Sequence, residues 1–150
     1  MKTDNRFFFR LLPLLTALVT GCASVPMASP DEDAKAKSFA VQADKSNIYM
    51  YRNEFFGNAV AMAVELDSKL AGQTAHHTYF LFEVSPGPHQ VSSVAENTST
   101  VQLTTVGGKA YFVWQEVKMG MWNAGTQLHE VDEETGRKGV SECQRVKANF

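Results

Sequence analysis

The fold is decided by the stretch Ala59-Val60-Ala61-Met62-Ala63-Val64-Glu65-Leu66, in which larger apolar residues alternate with small or polar ones. Successive side chains of a β-strand point to opposite faces, so this alternation places the larger residues together on one face. The turn residues Asp67-Ser68-Lys69 follow at once, and we expect residues 69–74 to return as the second strand of a hairpin. The stretch therefore predicts a half-buried antiparallel strand.

Similar short strands are predicted on both sides of this hairpin. Turn residues separate them, as at Ser85-Pro86-Gly87-Pro88 and Val106-Gly107-Gly108-Lys109. About seven or eight short strands at regular spacing are typical of a β-sandwich, so we predict a single all-β domain. The other predicted strands are 47–52, 79–84, 89–96, 100–106, 109–118 and 126–131.

A helix is predicted near the C-terminus. Acidic residues 132–134 suit the positive end of a helix dipole. Val140, Cys143 and Val146 then recur at helical spacing, although two intervening glycines weaken the pattern. We expect a short helix that covers one end of the sandwich.

The first 21 residues have the pattern of a bacterial lipoprotein signal peptide. A charged start precedes an apolar run whose uninterrupted part, residues 11–19, is shorter than the roughly 20 residues of a spanning helix. Val19-Thr20-Gly21-Cys22 resembles a lipobox, which is an aliphatic residue, two small residues and an obligatory cysteine. An ordinary secretory signal is the alternative. We expect the mature chain to begin at Cys22, carrying acyl chains such as palmitate.

The residues after the cysteine indicate a location and a boundary. Ala23 in place of Asp resembles the default signal for the outer membrane, so we expect a lipid-anchored envelope protein that faces the periplasm. Residues 22–37 are rich in Ala, Ser, Pro and charge and lack apolar periodicity, which predicts an acylated disordered tether whose Ala-Lys end can form a helical turn. Residues 38–150 are the predicted sandwich domain.

Composition limits the possible partners and the redox chemistry. Without the signal, the remaining 129 residues carry 11 basic and 15 acidic side chains, a formal charge of −4 that argues against nucleic acid. Acylation of Cys22 leaves Cys143 without an intramolecular partner. Cys143 is then a reactive thiol, an intermolecular bridge or a buried side chain, and we favour burial.

Five segments resemble the signatures of a bacterial lipoprotein family, domain-of-unknown-function family 2846. They are, in chain order, Ile48-Tyr49-Met50-Tyr51-Arg52, Val64-Glu65-Leu66-Asp67-Ser68-Lys69, Pro86-Gly87-Pro88-His89-Gln90-Val91, Gly107-Gly108-Lys109-Ala110-Tyr111-Phe112 and Leu128-His129-Glu130-Val131-Asp132-Glu133-Glu134-Thr135-Gly136. The resemblance covers roughly residues 45–147, and Ser68 replaces the usual glycine, which asks for a different turn type. The turn before His89 is also similar to that of PEGA domains. The resemblance implies a lipid-anchored β-sandwich and supplies no reaction.

Candidate metal ligands and nucleophiles are few. His76 and His77 are adjacent, and adjacent strand residues point to opposite faces, so a solvated loop is favoured over a metal site. Cys143 is a candidate nucleophile, but its place in an apolar helical pattern favours core packing. We expect no metal, no cofactor and no catalytic residue.

Three residues are candidates for binding or structural roles. Arg52 closes an apolar strand, and we favour a structural ion pair with Glu65, Asp67 or Glu116 over ligand recognition. His89 is expected to bond backbone or a neighbouring strand. Trp122 ends Met119-Gly120-Met121-Trp122, which is a weak copper(I) candidate or an apolar lip for a partner, with core burial favoured over both.

These features predict a non-enzymatic binding or interaction module, anchored in the membrane through Cys22. Its loops are expected to meet an envelope protein, a glycan or peptidoglycan. The alternative is a small periplasmic metal-binding protein or enzyme that uses His76, His77 or Cys143.

Overall fold

The alternating stretch becomes a strand only in its second half. In the computed structural model, which describes residues 24–150, Met62, Val64 and Leu66 are buried on one face of the strand. The hairpin turn that follows has two residues in the left-handed region, Asp67 at φ 49° and Ser68 at φ 65°. This is the backbone of a two-residue turn that matches strand twist. Ser68 therefore keeps a conformation in which glycine is the usual residue.

Nine strands and two helices form within the described residues, and the predicted all-β sandwich with a helix near the C-terminus is confirmed. The strands are β1 Ser46–Arg52, β2 Met62–Leu66, β3 Lys69–Thr74, β4 Thr78–Val84, β5 Gly87–Val94, β6 Thr98–Thr105, β7 Ala110–Met119, β8 Ala124–Val131 and β9 Gln144–Arg145. The helices are α1 Pro30–Ala36 and α2 Glu133–Ser141. No helix in this part of the chain is long and apolar enough to cross a bilayer.

The strands form two sheets that enclose the main core. One sheet has the order β8-β7-β1-β4-β9 and the other β3-β2-β5-β6. Neighbours are antiparallel except for the β1–β7 and β4–β9 pairs, which are parallel. The core between the sheets includes Ile48, Met50, Val64, Phe80, Val91, Val113 and Leu128.

Side chains and the C-terminal tail close the two open sides of the sandwich. On one side, the Asn97 amide donates to Thr126 O and accepts from Thr126 N, each at 2.8 Å. Ser99 Oγ accepts from Leu128 N at 2.9 Å. On the other side, Asn149 N donates to Ala71 O at 2.9 Å. These contacts satisfy backbone groups that strand edges would leave unpaired.

A second apolar layer covers the outer face of the five-stranded sheet. Tyr49, Tyr51, Tyr79 and Phe112 lie there with residues of α1 and α2. Both faces of β1 are therefore buried along its whole length. The helix α2 lies over this outer face and not over one end of the sandwich, which corrects its predicted position. Cys143 and Val146 of the predicted helical pattern lie beyond α2, Cys143 in the outer layer and Val146 in the core between the sheets.

The prediction of a disordered tether over residues 22–37 is wrong for its described part. Ser29 and Glu32 form a reciprocal capping box at the start of α1. Tyr79 Oη donates to Asp33 Oδ1 at 2.8 Å, Val25 is buried, and Met27 bridges Val146. The polar residues thus satisfy one another and the domain, which begins at or before residue 24 and not at residue 38. The predicted signal, residues 1–21, and Cys22 lie outside the described residues.

Candidate functional site

Four chain connections meet at one end of the sandwich because successive strands alternate in direction. They are 53–61 after β1, 75–77 after β3, 95–97 after β5 and 120–123 after β7. The register of the five-stranded sheet places Arg52, at the end of β1, opposite Thr78, at the start of β4. Strand β7 is parallel to β1, so both strands end on this side of the sandwich. The opposite end, which we call the distal end, carries the turns at 67–68, 85–86 and 106–109.

Large apolar side chains at the first of these ends are exposed to solvent. We call this group the apolar end: Trp122 is 85% exposed, Met119 83%, Met121 82%, Phe55 69% and Phe56 55%. The other exposed large apolar residues of the described chain are Met27, Leu70, Val106 and Phe150. Clustered exposure of this kind marks an interaction surface more often than scattered exposure does.

The backbone that carries Trp122 is held by a neighbouring turn. Glu96 accepts hydrogen bonds from the N–H groups of Asn123 at 2.6 Å and of Trp122 and Met121 at 2.9 Å. These bonds lower the pKa of Glu96. A Cβ on Gly120 would lie 2.1 Å from Asn123 O, so the tight approach requires glycine there. The backbone of the turn between β7 and β8, which we call the tip, is therefore fixed, while its large side chains are exposed to solvent.

Core burial of Trp122, the favoured interpretation of the sequence, is wrong. The pairing of β7 with β1 ends at Trp114, whereas its pairing with β8 continues to Met119. The β7–β8 hairpin therefore extends past the adjacent strand, and no sheet remains beside its tip to cover it.

Arg52 holds the other loop of the apolar end. The Arg52 side chain is fully buried, and its guanidinium donates to Val60 O at 2.8 Å and to Gly57 O. Glu54 accepts from Val117 N at 2.8 Å, which ties the same loop to β7. Burial lowers the pKa of Arg52, although the charge of Glu54 opposes this effect.

The predicted ion pairs of Arg52 across the sheet are therefore wrong. Glu116 pairs instead with Lys118 and His129, and Asp67 pairs with His89. The role of Arg52 is structural, as the sequence favoured, but its partners are loop carbonyl groups.

His89 lies at the distal end and makes the kind of contact that was expected. Its Nδ1 lies 2.8 Å from Asp67 Oδ2, and its Nε2 lies 2.7 Å from Ser85 O. Burial disfavours the charged ring, but the hydrogen bonds to Ser85 and Asp67 outweigh this effect and raise the pKa of His89. The imidazole thus joins two turns.

The His76 and His77 rings, candidate ligands of the alternative function, are neighbours with 5.7 Å between centroids and stand nearly perpendicular to each other. The His76 ring lies edge-on to the Phe55 ring, with 6.1 Å between centroids, and His77 Nδ1 lies 3.1 Å from Glu142 O. Within residues 24–150, no group of three His, Cys, Asp or Glu side chains is placed to hold a metal ion.

Cys143 is buried, which confirms the favoured interpretation of this residue. Burial raises the pKa of Cys143 to about 12, and its Sγ donates to Arg52 O at 3.4 Å. A thiol with this pKa is almost entirely protonated at neutral pH, and the thiolate is the nucleophilic form.

Several residues of the apolar end escaped the sequence analysis. The sequence around Glu96 and Glu54 does not indicate their role, because each is an ordinary charged residue beside a turn. Phe55 and Phe56 could have been noticed, since two aromatic residues followed by Gly57-Asn58 belong to a turn and have no strand to bury them.

The geometry defines a two-sheet β-sandwich with helices on one outer face and exposed apolar turns at one end. A family described as a protein of unknown function (DUF2846) matches residues 42–127. An uncharacterized protein of Haemophilus influenzae is 36% identical over 126 residues, which cover 83% of this chain and 75% of that relative. The chain belongs to the DUF2846 family. No solved structure matches it.

Proposed function

We propose that this protein is a lipid-anchored, non-enzymatic interaction module of the bacterial envelope, and that the apolar end is its contact surface. The observation that carries the proposal is the set of five exposed apolar side chains on the loop after β1 and on the end of β7 with its turn, which Arg52 and Glu96 fix. The anchor is acylated Cys22, in the outer membrane and facing the periplasm. The lipobox supports this part of the proposal.

Physical chemistry favours covering the apolar end with a partner. Removing apolar surface from water contributes roughly 25 cal/mol per Å². Trp, Phe and Met are enriched where protein surfaces bind partners. A backbone already held by hydrogen bonds loses less conformational freedom on binding, which strengthens the association.

A non-enzymatic role is supported by what the reactive side chains do. Cys143 is buried with a raised pKa, and both ring nitrogens of His89 contact fixed oxygen atoms. His129 Nε2 lies 2.8 Å from Glu116 Oε2 on the outer face of the sheet. Each of these groups has a structural contact that proton transfer or nucleophilic attack would break.

The contact surface is tested by photo-crosslinking in intact cells. A photoreactive amino acid replaces Trp122 in one variant and, as the control, exposed Val106 at the distal end in another. We expect an adduct with an envelope component, either lipid or protein, from position 122 and little from position 106. Equal labelling from both positions, or none from position 122, would contradict the proposal.

The metal-binding alternative is tested separately by metal analysis of purified protein. Purified protein would contain stoichiometric metal, and that metal would be lost in the double variant His76→Ala, His77→Ala. Metal that remains in the double variant removes those two residues as its ligands.

A further inference from the structure

The N-terminal part of the described chain leaves the domain at the apolar end. Ser24 and Met27 line one surface groove together with His76 and His77 of the turn after β3. The His76 ring contacts Phe55, which belongs to the apolar end. The chain that leads back to the proposed anchor therefore starts at a groove on the β9 side of this end, and that groove reaches the apolar end through Phe55.

The available length of chain keeps the anchor close. Cys22 precedes Ser24 by two residues, and two extended residues span at most about 7 Å. A disordered tether over residues 22–37 would instead span up to about 50 Å. Because residues 24–37 pack on the domain, an acyl anchor on Cys22 brings the apolar end to the bilayer surface and leaves the distal end away from it.

We propose that the partner of the apolar end is the membrane interface itself, in which Trp122, Met119, Met121, Phe55 and Phe56 insert beside the lipid anchor. The inference rests on the proposed anchor at Cys22. Indole rings favour the headgroup region, where the ring is apolar and its N–H reaches polar atoms. The anchor also gives these side chains a high effective concentration at the bilayer, so weak insertion is enough.

The charges near the tip are compatible with insertion by apolar contact. A free carboxylate disfavours entry into the bilayer. The Glu96 oxygens are instead occupied by three backbone N–H groups of the tip, and Glu54 is bound to Val117 N. The mature chain has a formal charge of −4, so attraction to anionic lipid does not supply the binding.

The inference is tested by tryptophan quenching in vesicles. Full-length protein is expressed in a bacterial host, purified in mild detergent and reconstituted in phosphatidylethanolamine and phosphatidylglycerol vesicles with brominated acyl chains. Trp114→Phe removes the second tryptophan, so the emission reports Trp122 alone. The matched control adds Trp122→Phe and Val106→Trp, which moves the single indole to the distal end.

We expect about a twofold loss of Trp122 emission, because an interfacial side chain lies about 5–10 Å into the headgroup and acyl boundary. The indole of the Val106→Trp control should keep its emission, since the ten residues of β7 separate the two ends by about 30 Å at 3.3 Å per residue.

Mass measurement of the same samples reports lipid on Cys22 and separates the two proposals. Lipidated protein with unquenched Trp122, or with equal quenching at both positions, overturns the membrane contact while the anchor stands. Unlipidated protein overturns the proposed anchor, and it also overturns the proposed membrane contact, which rests on that anchor. Quenching of Trp122 alone in lipidated protein supports both.

Discussion

Single residues decide whether the apolar end is rigid, and Glu96 is the clearest case. Its carboxylate is the shared acceptor for three consecutive N–H groups of the tip. The hydrogen bonds favour the charged form, so they are complete above the ordinary pKa of glutamate and are lost as pH falls through the lowered pKa.

We predict that the amide proton shifts of Met121, Trp122 and Asn123 titrate together, with a midpoint below the usual glutamate value of about 4.3. NMR spectra recorded across acid pH measure this directly. Glu96→Gln should abolish the common titration and broaden the three signals, whereas Glu83→Gln, at an exposed position on β4, should leave them unchanged. Independent midpoints for the three amides would show that they do not share one acceptor.

Ser68 has a strained backbone conformation that glycine would adopt without strain. A left-handed backbone costs a residue with a Cβ about 1–2 kcal/mol, and Ser68 has φ 65°. We predict that Ser68→Gly raises the free energy of unfolding by about 1 kcal/mol, measured by urea denaturation. Ser85→Gly, in the turn after β4, should bring no such gain. Equal effects of the two substitutions would refute the assignment of strain to Ser68.

Among the elements, helix α2 was predicted correctly, but the reason for its two glycines was not. Two glycines weaken the helical pattern, yet both are buried against the sheet. A Cβ on Gly136 would lie 2.2 Å from Phe112 Cγ, and one on Gly139 would lie 2.1 Å from Tyr51 Cε2. These glycines permit the close approach of helix and sheet, which propensity alone cannot reveal.

Gly139→Ala therefore separates helix propensity from packing. Propensity alone predicts a gain of about 1 kcal/mol in stability. We predict a loss of about 1–3 kcal/mol in urea denaturation, because the added methyl group overpacks against Tyr51. Lys138→Ala, at the exposed neighbouring position, should change stability by no more than about 0.5 kcal/mol. A stabilised Gly139→Ala variant would contradict the packing account.

Strand positions followed from alternation, but the ends of strands did not. The predicted strand over residues 69–74 agrees with β3, whereas the predicted strand over residues 59–66 loses its first three residues. Those residues belong to the loop whose Val60 carbonyl accepts from Arg52. The alternating pattern extends into the loop by chance. Only the contact with Arg52, which lies on β1 and not in the hairpin, shows that the Val60 carbonyl is bonded to a side chain and not to a neighbouring strand.

At the scale of the whole molecule, the sequence predicted the class of fold and not the pairing of its strands. The parallel pairing of β1 with β7 joins segments about 60 residues apart, and no local pattern encodes it. The return of the N-terminal segment to the domain was missed for a similar reason. In the sequence, Asp33 has the appearance of a solvated charge. In the structure, its carboxylate accepts hydrogen bonds from Tyr79 Oη and Arg145 N.

The location of the apolar end depends on this arrangement. Phe55 and Trp122 are 67 positions apart in sequence, and parallel pairing brings their loops to one end. The packed N-terminal segment brings Ser24, two residues after the proposed anchor, to a groove beside His76 and His77 at the same end. The proposed contact of this end with the membrane therefore depends on acylation of Cys22.

Incorporation of labelled palmitate during growth tests this central claim most directly. We predict label in the wild-type protein and in the Cys143→Ser variant, because Cys143 is buried in the fold. The Cys22→Ser variant should contain none. Label that persists in Cys22→Ser, or a wild-type protein that takes up no palmitate, would contradict the account.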